Sequence, residues 1–151
     1  MNELIEIHPM QVEDAISVQK LIKVVFDCFV GPDYSVEGVQ TFYGFIHPDN
    51  IIDRFLNKQH KIFIAKDKDE IVGVIETRDT SHICLLFVHK QYQRKGIAKR
   101  LFNKAFLDST LELTVNASPY AVTIYEKLGF TKIAGELIKN GITYIPMIKE
   151  K

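Results

Sequence analysis

This chain lacks an excess of charge of either sign. Its 19 Lys and Arg are matched by 19 Asp and Glu over 151 residues, so no global field draws it toward nucleic acid or an anionic membrane surface. It also lacks long apolar runs, and none approaches the ~20 residues of a membrane-spanning helix. The opening MNELIEIHPM is acidic and poor in apolar residues, which does not suit a secretory signal peptide. The only cysteines are Cys28 and Cys84, both within apolar patterns. They read as reduced core thiols of a cytoplasmic protein rather than as a disulfide framework. The histidines show no metal-ligand spacing, so no metal is expected. There are no repeats, linkers or low-complexity tracts, and the chain reads as one domain over residues 1–151.

The apolar pattern within that domain alternates between two periods. Residues 4–7 read as a strand ended by His8-Pro9. Residues 14–29 read as a helix with Ile16, Leu21, Val24, Val25 and Phe29 on its apolar side. Gly31-Pro32-Asp33 breaks it, and shorter helices are predicted over 36–46 and 51–56. Residues 61–66 and 70–77 form a hairpin around Lys68-Asp69. Residues 82–88 are the central strand, apolar from Ile83 to Val88, and 111–115 form another. Residues 132–138 and 142–148 make a second hairpin on Asn140-Gly141, a favoured two-residue turn. Pro146 cannot donate to a ladder, so a bulge or a change of pairing is expected there. This order predicts an α/β domain of the mixed α+β kind, with helices on both faces of a mixed sheet.

The densest chemical signal is HICLLFVHKQYQRKGIAKRLFNKA, residues 82–105. A buried strand runs into a polar turn. Gly96 then opens a segment with Ile97, Leu101, Ala105 and Phe106 at helical spacing. A strand–glycine turn–helix arrangement gathers free backbone N–H groups at the positive end of the helix dipole, which makes an anion site. A Cβ at position 96 would hold a phosphate away from the backbone. Arg94, Lys95, Lys99 and Arg100 make the segment locally basic, although Lys99 and Lys104 individually read as a solvated helix face.

The spacing Gln93-Arg94-Lys95-Gly96-Ile97-Ala98 resembles the acyl-CoA pyrophosphate loop of the GNAT superfamily of N-acyltransferases. A second element strengthens the resemblance: after strand 111–115, Ser118-Pro119-Tyr120-Ala121 starts a helix that ends Tyr125-Glu126-Lys127-Leu128-Gly129-Phe130. The resemblance implies a central mixed, mostly antiparallel sheet of about seven strands. It also implies transfer of an acetyl group from acetyl-CoA to a primary amine by direct attack in a ternary complex. The backbone near Phe87 and Val88 would pair with pantetheine, and Gln93 to Ala98 would grip the pyrophosphate. The Tyr125 hydroxyl would protonate the departing sulfur. Ser118 stands where the family often has Asn, and Ser-Pro is equally a helix cap, so a contact to CoA is open to Ser118 or Asn116.

The acceptor of the amine proton is the least determined role. The family often places Glu six residues before the strand's last apolar position, and here that position is His82. Imidazole titrates near neutrality, so the exchange is chemically reasonable. Glu76, at the end of the preceding strand, is the rival base, and water is the third possibility. Cys84 shares a face with His82, but an apolar strand disfavours the thiolate that a covalent route needs. Tyr34, Phe42, Tyr43 and Phe45 are expected to wall the acceptor pocket. Two rival functions are a CoA-binding module without catalysis and a nucleic-acid binder using the basic run 90–104. The neutral composition and the lack of interleaved aromatics count against the second. The expected partners are CoA and a small-molecule or peptide amine, with a homodimer left open and no nucleic acid or membrane.

Overall fold

The computed structural model describes residues 4–151. The first three residues, which open the stretch read as unlike a signal peptide, lie outside the described residues. The chain begins with strand β1 (Ile5–Pro9), then helix α1 (Ala15–Val25), which runs into a π-helical turn over Phe26–Val30. Helices α2 (Val36–Phe45) and α3 (Pro48–Asn57) follow, then β2 (Lys61–Asp67), β3 (Glu70–Arg78) and β4 (His82–Val88). The second half runs α4 (Ile97–Ala105), β5 (Leu113–Ala117), α5 (Val122–Lys127), β6 (Thr131–Lys132), β7 (Leu137–Lys139) and β8 (Ile142–Lys149). Among the described residues, no helix is long and apolar enough to cross a membrane.

The strands form an eight-stranded sheet in the order β1-β2-β3-β4-β5-β8-β6, with β7 also on β8. All pairings are antiparallel except β4 with β5. Helices cover both faces, as the alternation of periods predicts. On one face Val72, Ile75 and Ile83 pack with Ile97, Leu101 and Phe102 of α4 and with Tyr125 and Phe130. On the other, Ile62, Ile64, Val74 and Leu85 pack with Val18, Leu21, Ile22 and Val25 of α1 and Ile51 of α3. Strand β3 is buried continuously from Ile71 to Thr77 because both faces are covered.

The structure corrects several sequence expectations. The first helix buries Ala15, Val18, Leu21, Ile22 and Val25, whereas Ile16 and Val24 are exposed. Its π turn adds a residue to the spiral, which keeps Phe26 and Val30 inward and turns Cys28 to solvent. Cys28 is therefore an exposed thiol and not a core one. The strand expected over 132–138 is two short pieces, β6 and β7, so the sheet has eight strands rather than about seven. Pro146 is the reason: β8 pairs with β7 through Ile142–Tyr144, then with β6 through Met147 and Ile148. The partner changes where the ladder loses its donor, as expected for Pro146. Its carbonyl accepts from Ile133 N–H at 3.0 Å, while its other edge stays in register with Asn116 of β5.

The Asn140-Gly141 turn has φ of 54° and 80°, the two left-handed residues a tight hairpin needs. It lies on the first turn of α2. Ser35 Oγ accepts from Gly38 N–H at 3.1 Å, and Thr41 Oγ1 donates to the Asn140 carbonyl at 2.9 Å. A Cβ at Gly38 would sit 2.1 Å from the Gly141 carbonyl oxygen. Gly→Ala inside a helix normally stabilises by up to ~1 kcal/mol. Here the sign reverses: Gly38→Ala is expected to lower stability by roughly 1–3 kcal/mol, because backbone must move. Urea denaturation checks this, and a neutral or stabilising change would show that the hairpin does not bear on the helix.

Candidate active site

The site begins at an irregularity in β4. Leu85 pairs with Glu76 and Ile83 with Thr77, so Cys84 is one residue extra on β4 and the strand bulges there. Bulges re-aim side chains and end pairing. The parallel ladder to β5 holds only at His82–Thr114 and Ile83–Val115. Beyond the bulge the two strands part, and a cleft of about 430 Å³ opens between them. Its floor is β4 from Cys84 to Val88, including the expected Phe87 and Val88.

One end of the cleft is the N-terminus of α4. Arg94 (φ 64°) and Gly96 (φ 80°) are both left-handed, and Gly96 is the N-cap. This winding leaves the first N–H groups of α4 without intrahelical partners and directs them to the cleft end. Gln93, Arg94, Gly96, Ile97, Ala98 and Lys99 line it. Lys95 is the one expected loop residue outside the lining, and its ammonium lies 5.5 Å from the centroid of the Tyr92 ring. Gln93 shapes the turn: its amide donates to the Val88 carbonyl at 3.0 Å and accepts from the Tyr120 hydroxyl at 3.2 Å.

The facing wall comes from the β5–α5 connection. Asn116, Ser118 and Tyr125 all line the cleft. Ser118 occupies an N-cap position but makes no side-chain cap bond, so its hydroxyl is not spent on the helix. Tyr125 is held edge-on to Phe130, ring centroids 5.7 Å apart, and its carbonyl accepts from Phe130 N–H at 3.0 Å. Burial, with a smaller contribution from Cys84, raises the Tyr125 phenol above the usual tyrosine range. The hydroxyl hydrogen-bonds to none of the described residues and is not sealed off, and Tyr125 lines the cleft.

The two candidate bases lie apart from this lining. Glu76 is 0% exposed; it accepts from Arg54 Nε at 2.6 Å and Nη2 at 3.0 Å, and contacts His60 Nδ1 at 2.7 Å. Arg54 also stacks 3.7 Å over Phe45. His82 bonds through Nδ1 to Thr114 Oγ1 at 2.8 Å. Burial, and then the nearby Arg78, pushes its pKa down to about 4. Cys84 touches both regions: it lines the cleft and lies 4.0 Å from His60 Nδ1. Burial and then Glu76 push its thiol up to about 12, which disfavours a nucleophilic thiolate. His60, Glu76 and Cys84 place metal-capable atoms within 4.8 Å of one another, a convergence their sequence spacing conceals. Both Glu76 oxygens are already engaged by Arg54.

A family model described as an acetyltransferase (GNAT) domain matches residues 30–151. The chain belongs to the GNAT acetyltransferase family. A curated relative, the uncharacterized N-acetyltransferase YafP of Escherichia coli (strain K12), is 33% identical over 79 residues. That match covers 52% of this chain and 51% of YafP, so the chain spans about half the length of this relative. Among solved structures, the fold is shared with a GCN5-related N-acetyltransferase from Rhodopseudomonas palustris, at TM-score 0.81 and 22% identity over 97% of this chain and 95% of that one. It is also shared with the PaiA N-acetyltransferase of Thermoplasma acidophilum, solved in complex with coenzyme A, at TM-score 0.80 and 17% identity over 97% and 99% of the two chains. Within the GNAT frame, Tyr34 and Phe42 line the cleft as expected for an acceptor wall, whereas Tyr43, bonded to Asp27, and Phe45, under the Arg54 guanidinium, do not; sequence reasoning missed Tyr120, Thr123 and Leu128. For Tyr120, its place one residue after Pro119 in the quoted helix start was an available signal. For Arg54 and His60 there was none, since their partner is a strand away.

Proposed function

We propose that this protein transfers an acetyl group from acetyl-CoA to a primary amine by direct attack in a ternary complex. The observation that carries the reading is a single cleft, where strands β4 and β5 part, that joins the α4 N-terminus to the Tyr125 hydroxyl. The residues fit a CoA thioester. Two left-handed residues expose backbone donors beside Arg94 and Lys99, which suits a pyrophosphate. The β4 edge beyond Ile83 has no ladder partner on the β5 side and suits the amides of a pantetheine arm.

Acetyl-CoA supplies the activated acyl group. The amine nitrogen bonds to the acyl carbon, the carbon–sulfur bond breaks, and the sulfur takes a proton. Tyr125 donates that proton and is reprotonated from solvent. Its raised pKa does not disqualify it, because the same burial raises the proton affinity of a thiolate beside it, and Cys84 in the same wall gauges the effect. The amine proton passes to water. Supporting this, His82 is a weak base and both Glu76 oxygens are occupied.

Two measurements test these roles. Gly96→Val is expected to weaken CoA binding at least ~10-fold by calorimetry, since a β-branched residue resists φ near 80°. A Cβ there meets nothing within 4 Å, so valine clashes with no other part of the fold and its strain falls on the loop itself. Unchanged affinity in the folded variant rules the loop out, and no CoA release with any amine rejects transfer. For His82, the folded state prefers the neutral ring while the unfolded chain protonates near pH 6.5. Stability therefore falls as pH drops from about 6.5 toward about 4 and the difference levels off below that. His82→Gln is expected to flatten this fall while leaving the shape of the pH–rate profile intact. Loss of a limb of that profile would make His82 the base.

A further inference from the structure

The acceptor end of the cleft, opposite the α4 N-terminus, is built from Val25 and Val30 around the π turn, with Tyr34, Phe42 and Phe87. Phe42 stacks on Phe26 at 4.1 Å between centroids, and Phe87 lies 6.0 Å from Phe42. The ring positions are thus fixed by packing behind the wall and not by one another alone. The charged groups lining the whole cleft are Arg94, Lys99 and Lys127, all cationic. The nearby carboxylates are committed elsewhere. Asp27 pairs with Lys23 at 2.7 Å and bonds Tyr43; Asp67 accepts from Tyr92 at 2.6 Å; Glu76 is held by Arg54 and His60. Asp33, Glu37 and Glu126, close in sequence to lining residues, are exposed and are not part of the lining.

Resting on the transferase reading, we propose that the acceptor is a small primary monoamine on an apolar, aromatic body, seated between Tyr34, Phe42 and Phe87. Three arguments converge. A second ammonium, as in a polyamine, would have to shed water against rings with no free carboxylate to receive it. An aromatic body meets rings that are already held in place by packing, Phe42 on Phe26 and Phe87 against Phe42, and so need not be ordered on binding. Finally, a cleft of about 430 Å³ is shared by the pantetheine arm and the acceptor, which favours a small body at the Tyr34, Phe42 and Phe87 end. The apolar surround also helps the chemistry. It lowers the pKa of a bound ammonium, so the amine more readily sheds its proton to water before attack. Tyr34, whose phenol burial pushes up to about 12, stays protonated and offers one neutral hydroxyl to orient the nitrogen.

The test is kcat/KM for acetyl-CoA-dependent CoA release with phenethylamine and spermidine, on wild type and Tyr34→Glu. Wild type is expected to prefer phenethylamine by roughly 100-fold. Tyr34→Glu places a carboxylate in the wall and is expected to shrink that ratio at least ~10-fold. Wild-type preference for spermidine overturns the proposal, as does a ratio that Tyr34→Glu leaves unchanged in a folded protein. Saturation-transfer NMR of phenethylamine with the CoA-loaded protein separates the two levels. Binding without turnover keeps this acceptor chemistry and rejects the transfer reading. Turnover of other amines with no phenethylamine binding keeps the transfer reading and rejects this one.

Discussion

Replacing Arg54 with alanine is expected to cost about 3–5 kcal/mol of stability, a large fraction of what a domain of this size has. The guanidinium makes a two-pronged contact with a carboxylate that is 0% exposed, at 2.6 and 3.0 Å, and its Nη1 donates to the Phe45 carbonyl at 2.7 Å. Alanine would leave Glu76 charged in a dry interior with only His60 beside it, and would empty the space over the Phe45 ring. Lysine is expected to rescue little, because a point charge cannot reproduce the fork. The double variant Arg54→Met with Glu76→Leu is expected to recover most of the loss, since an apolar pair carries no desolvation cost. Urea denaturation of the three proteins decides it. A loss under about 1 kcal/mol in Arg54→Ala would mean that the ion pair is solvated and does not hold the core.

The cluster also bears on function. Glu76 pairs with Leu85 across the bulge, and the bulged residue, Cys84, lies against His60. Arg54 on α3, His60 before β2 and Glu76 on β3 therefore brace the strand irregularity that opens the cleft. A variant at Glu76 that loses activity would lose it through the position of β4, with kcat and KM moving together. Loss of a base would instead remove a limb of the pH profile.

The parts of this molecule that were legible in sequence are those specified within one or two elements. The strand–turn–helix over residues 82–105 carries its own periodicity, its own glycine and its own charges, and it folds as read. Asn140-Gly141 fixes its hairpin by backbone preference alone, and Pro146 moves the pairing because it has no N–H to give. The remaining features depend on contacts between distant segments. Nothing local tells that Ile16 faces solvent and Ala15 the core: the neighbouring α3 and the sheet choose the face. The Arg54–Glu76–His60 cluster joins three segments whose separations in sequence follow no motif.

Removing one oxygen atom from Tyr125 is expected to lower kcat by roughly 100-fold, the usual scale for a single positioned acid. Tyr125→Phe keeps the ring, its edge contact with Phe130 and its place in the core under α5. The hydroxyl bonds to no described residue, so its removal breaks no protein contact and leaves no buried partner unsatisfied. Stability and CoA affinity are therefore expected to stay near wild type, and the loss falls on kcat with KM for acetyl-CoA little changed. A second readout separates acid from filler. If Tyr125 delivers the proton to sulfur, the defect shrinks with a thioester whose thiol is more acidic, because a better leaving group needs less help. A packing role predicts the same fold-loss for both thioesters, and equal turnover by wild type and Tyr125→Phe removes the residue from the mechanism altogether. The sulfur would then take its proton from water at the cleft mouth. Burial disfavours that route, because Tyr125 is only 6% exposed and water reaches the wall around it less readily than the hydroxyl already there.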